Sequence, residues 1–268
     1  MKKNSLFKFV SGLWILSVIC AISALADVAF FGRNYETYKK MFCMSDDDLK
    51  ERRILDVPAG PSTFLGTLKE KDWLHSESKA VDQGYGDVQK MKEALLNGMK
   101  QAFFPFFDLS YKSWPQERQA GFLAKYNEFN AIHAEFLEQF QTFPSLYVKG
   151  DIRYLSTVLG AVTKFDWVLS SNFLFLYSQR EKDLDEEFHR KAILSLVDTV
   201  DEKGEIRIFP LDTLDAEVPK FLDHLLADLK KNPLSVEVRN GCAPSAGQLI
   251  KGRIHEKGLM LVIKKNVK

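Results

Sequence analysis

The chain predicts an α/β fold: a doubly wound, mostly parallel sheet of seven strands, with an antiparallel last strand and a helical insertion. Three observations predict it. Short apolar runs alternate with amphipathic helical stretches along most of the sequence. The stretch Arg53–Phe64 reads as a short strand ending at the acidic Asp56 and opening into the small-residue turn Pro58-Ala59-Gly60-Pro61-Ser62, the strand–turn–helix junction of a ligand-binding α/β domain. The last two runs, Leu234–Arg239 and Gly258–Lys264, are joined by a short polar loop containing Gly241, Pro244 and Gly247, so they read as an antiparallel hairpin.

At 268 residues the chain suits one large domain with a sizeable core. Its 21 phenylalanines point to an aromatic-rich core or pocket. A net charge of +1 argues against a nucleic-acid partner bound through phosphate neutralisation. Lys264, Lys265 and Lys268 read as a solvated tail.

Residues 1–26 differ from the rest. Lys2, Lys3 and Lys8 precede the apolar run Phe9–Leu25, which closes on Ala24-Leu25-Ala26. This is the three-part pattern of a signal peptide with its small-x-small cleavage site. An uncleaved membrane anchor is the rival, and a translation start set too far upstream a third reading. The expectation is therefore an exported or membrane-associated protein, or a cytoplasmic one if the segment is an anchor or a misplaced start. Residues 27–268 form the single folded domain. Cys43 and Cys242 read as two free thiols, with pairing in an oxidising compartment as the alternative.

The elements follow in order. Tyr35, Tyr38, Met41 and Phe42 recur at helical spacing within 34–50, and Ser45 with Asp48 forms a capping box for a second short helix. Strand one is Ile54–Val57, followed by a helix from Ser62 to Lys71. Strand two, Lys79–Asp82, again ends on an acid, and a helix spans 87–101. Residues 103–145 are studded with Phe103, Phe104, Phe106, Phe107, Tyr111 and Trp114. They continue as a long helix carrying Phe122, Tyr126, Phe129, Phe136 and Phe140, and read as an insertion packed on the sheet or over its carboxyl edge. Strand three is Leu146–Lys149, before Gly150-Asp151. Strand four, Phe165–Ser170, is the near-continuous apolar run of a doubly covered strand. A helix over 183–199, strand five at Glu205–Leu211 and a helix over 214–230 precede the closing hairpin.

Asp56, Asp82 and Asp151 thus stand at or just beyond the ends of successive strands, on the edge where such sheets bind ligands. With these residues in place, the stretch 50–265 resembles the class I S-adenosylmethionine-dependent methyltransferases, and in Asp56–Phe64 and Leu174–Ser178 a little-described bacterial subgroup of them. Asp56, Pro58, Ala59 and Gly60 resemble the family's cofactor loop. Asp82 resembles the acid that binds both ribose hydroxyls, and Asp151 the segment beside the adenine. Phe165–Ser171 resembles the fourth-strand motif, whose end, Ser170 and Ser171, faces the transferable methyl group. The resemblance implies a Rossmann-like fold, S-adenosylmethionine as cofactor and a small-molecule acceptor. It leaves the catalytic base and the oligomeric state open. A noncatalytic cofactor-binding or scaffold protein on the same fold is the alternative reading.

The chain departs from the family pattern. Pro58 and Ser62 stand where the loop usually has glycines, and Ser171-Asn172 replaces the Asp/Asn-Pro-Pro-aromatic motif of enzymes that methylate amino groups of bases and glutamine. Methyl transfer needs no metal, and positioning alone supplies much of its catalysis. His75, His133, His189, His224 and His255 show no metal-ligand spacing, so no metal is expected. Tyr35 and Tyr177 read as core aromatics before acceptor-side groups.

Overall fold

The computed structural model describes residues 32–109, 111–160, 162–179, 181–246, 248 and 256–266. The signal-peptide or anchor reading of residues 1–26 lies outside them, as do the side chains of Phe104, Phe106, Phe107 and Tyr111. No helix among the described residues is long and apolar enough to cross a membrane.

Seven strands form one sheet: β1 (Ile54–Asp56), β2 (Lys79–Asp82), β3 (Tyr147–Lys149), β4 (Phe165–Ser171), β5 (Val200–Phe209), β6 (Leu234–Asn240) and β7 (Leu259–Lys265). Their order is β3-β2-β1-β4-β5-β7-β6. β1 to β5 run parallel, and β7 pairs antiparallel with both β5 and β6. This is the Rossmann-like sheet the sequence predicts. Strand order reverses between β1 and β4, and ligands of open α/β sheets bind above such a switch point.

Alternation along the strands fills two apolar layers. Ile54, Leu169, Ala80 and Val262 face a layer with α1 (Tyr35–Phe42), α3 (Phe64–Glu70), α4 (Val88–Leu109) and α5 (Gln116–Thr142). The short α2 (Asp46–Leu49) joins it through Leu49. Leu55, Val168, Val81 and Ile206 face the opposite layer, with α6 (Leu155–Leu159), α7 (Glu186–Thr199) and α8 (Leu222–Leu229). Each central strand is covered on both sides, which explains its unbroken apolar runs.

Local chemistry sets the helix ends. Asn34 caps α1 by accepting from Thr37 N, the Ser45–Asp48 capping box opens α2, and Asp185 caps α7 by accepting from Phe188 N. That cap starts α7 at Glu186, later than the sequence reading. α8 also starts late, at Leu222: Ala216 takes a left-handed φ of 57°, and Pro219 disfavours helix in the residue before it. Two elements run longer than expected. β5 begins at Val200, and α4 continues to Leu109 because Leu95, Met99 and Phe103 hold one buried face four residues apart. The insertion is therefore a helical hairpin of α4 and α5. Phe103 lies 5.3 Å from the rings of both Phe122 and Tyr126, and Phe136 packs on Tyr147 of β3 at 5.7 Å.

One sequence expectation is overturned. Cys43 and Cys242 are not free thiols but a disulfide across 199 residues, with Cα atoms 5.2 Å apart. Both cysteines sit beside residues that pack on Phe209 at the end of β5. Its ring packs on Phe42, next to Cys43, at 6.3 Å, and a Cβ on Gly241, next to Cys242, would stand 2.5 Å from it. Only the folded sheet brings these neighbours together.

Candidate functional site

A cavity of about 770 Å³ opens above the carboxyl ends of β1, β2 and β4. Pro58, Ala59, Gly60, Asp82 and Ser171 line it, five of the eight residues the sequence singles out. Asp56, Asp151 and Ser170 do not.

Gly60 and Asp82 form the organised centre. Gly60 adopts φ 58°, where a side chain would be strained, and its N–H donates to Asp82 Oδ2 at 2.9 Å. Gly84 N–H donates to Asp82 Oδ1 at 2.7 Å. Each carboxylate oxygen so holds one backbone donor and keeps a lone pair for a ligand hydroxyl. Burial raises the Asp82 pKa, opposed by these two amide bonds. Tyr85, buried beneath, donates its hydroxyl to the Gly60 carbonyl at 2.7 Å and fixes the loop from below. The β3 end sits close by: Gly150 N–H donates to the Asp82 carbonyl at 3.1 Å. A Cβ on Gly150 would come within 2.6 Å of a Val158 methyl, so a side chain there would have to displace Val158.

The three remaining residues are turned elsewhere for local reasons. Asp151 caps the turn Ile152–Tyr154, accepting from Arg153 N at 2.9 Å, and pairs with the Arg153 guanidinium at 2.6 Å. That partner holds its carboxyl below the ordinary range, and Ile152 and Arg153 reach the cavity in its place. Ser170 and Ser171 are strand neighbours and face opposite sides of the sheet. Ser170 points into the layer of α7; its hydroxyl is buried with no partner among the described residues. Asp56 lies in register with Leu169, inside the sheet and under α1, below the level of the loop it precedes.

Asp56 is nonetheless part of a network that reaches the cavity. It is fully buried, and Tyr38 donates its hydroxyl to Asp56 Oδ1 at 2.9 Å and Oδ2 at 2.8 Å. The same Tyr38 oxygen stands 3.0 Å from Ser171 Oγ on the cavity wall. Burial pushes the Asp56 carboxyl up to about 7. The Tyr38 hydroxyl opposes this, the Asp82 charge adds to it, and Arg33 and Ser62 oppose it. The Tyr38 ring is held by stacking on Phe64 at 4.4 Å.

The wall beyond Ser171 is partly aromatic, formed by Phe173, Tyr177 and Phe188. Asn172 joins it in a left-handed conformation (φ 52°), its N–H fixed on the Phe209 carbonyl at 2.7 Å. Arg33 lines the same wall. Tyr177 thus reaches the cavity, whereas Tyr35 donates its hydroxyl to Asp46 at 2.8 Å and lies away from it. Arg33 and Tyr38 escape a reading of the sequence because both come from the segment before β1. Their only local signal is the helical spacing of Tyr35, Tyr38 and Phe42.

Away from the cavity, Glu186, His224 and Asp228 bring ligand-type atoms within 4.8 Å of one another. His224 pairs with Glu186, and Asp228 with Lys231 at 2.6 Å, so the group is a surface ion cluster spanning α7 and α8. No sequence spacing marks it, since Glu186 is far from the other two.

No family model matches the chain. "Uncharacterized protein MJ0045" of Methanocaldococcus jannaschii is 25% identical over 215 residues, covering 77% of this chain and 88% of that protein. Among solved structures the chain is similar to an S-adenosylmethionine-dependent methyltransferase from Clostridium acetobutylicum. That match has 11% identity and a TM-score of 0.46, and covers 92% of this chain and 95% of the other. It is also similar to TrmN from Thermus thermophilus, at 13% identity and a TM-score of 0.40, over 82% of this chain but only 45% of TrmN.

Proposed function

We propose that the chain is an S-adenosylmethionine-dependent methyltransferase acting on a small molecule. The observation that carries this reading is the Gly60–Asp82 centre. A carboxylate at the end of β2 is fixed by two backbone amides and keeps one acceptor site per oxygen, facing a cavity above the switch point. That geometry suits the vicinal hydroxyls of a ribose. Gly150 and Ile152 offer a close, partly apolar seat for the base, and the aromatic wall of Phe173 and Tyr177 suits a sulfonium cation. The cofactor, when bound, supplies the methyl group; Asp82, Gly60 and Ser171 would hold and orient it. The near-neutral net charge supports a small molecule over RNA or DNA as acceptor. The disulfide supports an oxidising compartment, and with it export of the chain.

Incubating the full chain with methyl-labelled S-adenosylmethionine and fractionated extracts tests the activity. Label is expected in a low-molecular-weight fraction. Label in RNA would replace the acceptor class. Tight cofactor binding with no label transferred to any fraction would refute catalysis and leave a binding protein.

A further inference from the structure

Asp56 is the one buried carboxylate among the described residues wired to the cavity without lining it. On the proposed function, the cavity receives a sulfonium cation and returns a neutral thioether. We propose that Asp56 is a proton-linked counter-ion for that cation, connected to the cavity through the hydroxyls of Tyr38 and Ser171, so that the site binds the charged cofactor more tightly than its neutral product. The inference rests on the cofactor reading.

The geometry fits the role. Tyr38 donates to both Asp56 oxygens and can accept from Ser171, giving an unbroken chain of hydroxyls from cavity to carboxyl. The groups facing Asp56 are known from each side. Tyr38 and Arg33 come from α1 and the segment before it, Ser62 from the loop after β1, Asp82 from β2 and Ser171 from β4. Tyr85 and Tyr147 also lie within its field. Arg33 and Asp82, both on the cavity wall, already influence the Asp56 charge, so a ligand charge between them acts on it too.

The step is a simple ionisation. With Asp56 protonated, its carboxyl O–H donates to Tyr38 and Tyr38 to Ser171; passing the proton along this chain to cavity water reverses each bond and leaves a carboxylate that accepts from Tyr38 and faces the incoming cation. A neutral ligand brings no such gain, and the proton stays. Because Asp56 titrates near 7 in the free protein, the release is measurable at pH 6, below the α-amino pKa of about 8 that the ligands also carry.

The test is calorimetric titration of the full chain with S-adenosylmethionine and with S-adenosylhomocysteine, each in two buffers of different ionisation heat. S-adenosylmethionine is expected to release about half a proton or more beyond that released by S-adenosylhomocysteine. The ratio of the two affinities is expected to rise about fivefold or more from pH 5.5 to pH 7. Asp82 lines the cavity and also feels the ligand charge; its linkage persists in Asp56→Asn, so the part of the difference lost in that variant belongs to Asp56. Asp56→Asn is expected to remove most of the difference; if that variant does not fold, Asp82→Asn, which leaves Asp56 in place, is expected to keep most of it, and loss of the difference there would overturn the inference. Equal proton release and parallel pH dependence of the two ligands would overturn the inference while leaving the cofactor reading intact. Failure of both ligands to bind overturns the two together.

Discussion

Asp56→Asn is predicted to change the pH dependence of stability in a way set by one buried carboxyl. In the folded protein Asp56 titrates near 7, chiefly through burial, against an ordinary value of 3.8. The folded state therefore holds this proton more tightly than the unfolded chain. Its stabilising effect is complete at low pH and is lost as pH rises through the window from about 4 to about 7. The whole loss is about 4 kcal/mol, and the part falling between pH 5 and pH 8 is about 2.5 kcal/mol. Asparagine has nearly the same shape, stays neutral, and still accepts from Tyr38 on one oxygen. It forfeits one hydrogen bond of about 1 kcal/mol at every pH. At pH 5 the variant should match the wild type within that margin; at pH 8 it should be the more stable of the two. Urea unfolding at pH 5, 6, 7 and 8 measures this directly. Parallel stability curves for the two proteins would show that Asp56 is ionised throughout, and the burial argument would be wrong.

Three further predictions concern separate parts of the molecule. Replacing Cys43 and Cys242 by serine removes a cross-link over 199 residues and should cost about 3–5 kcal/mol, read as a lowered melting temperature; identical melting with and without reductant would refute it. Gly66→Ala places a Cβ 2.0 Å from Gln139 Oε1, a buried side chain that also bonds Glu70 at 3.0 Å. It should cost about 1–3 kcal/mol by urea denaturation, and no shift of the midpoint would contradict the α3–α5 packing. Asp82→Ala removes two carboxylate–hydroxyl hydrogen bonds to a ribose, together about 3 kcal/mol. S-adenosylhomocysteine should bind about 100-fold more weakly by calorimetry, and an unchanged affinity would exclude the assigned contact.

The parts of this fold that are legible in the sequence are those written locally. The central strands β1 and β4 and the closing β7 show as apolar runs, the capping box at Ser45–Asp48 marks its helix, and Gly60 marks the turn that Asp82 later anchors. The reversed end of the sheet follows from the short link between the two closing runs, which pair antiparallel as β6 and β7. What escapes the sequence is decided across the sheet. Asp56 and Asp82 look alike as strand-ending acids. Only the register of β1 with β4, and the helix laid over it, sends one under Tyr38 and leaves the other at the rim. Asp151 looks like a third member of that row until its own neighbour, Arg153, claims it. Ser170 and Ser171 differ only by strand alternation, which the sequence states but cannot orient until the layers are known. The disulfide joins two segments from opposite ends of the chain, both of which pack against Phe209. Tyr38 and Arg33 enter the site from the segment before the first strand, where the sequence carries no site signature.

The central claim is that Asp82 grips the sugar of an adenosyl ligand above the switch point of the sheet. Diffraction from crystals grown with S-adenosylhomocysteine tests it most directly. The ribose hydroxyls should lie within hydrogen-bond reach of the two Asp82 oxygens, with the Gly60 loop against the ligand. Ligand seated elsewhere, or a ribose that leaves Asp82 untouched, would contradict it.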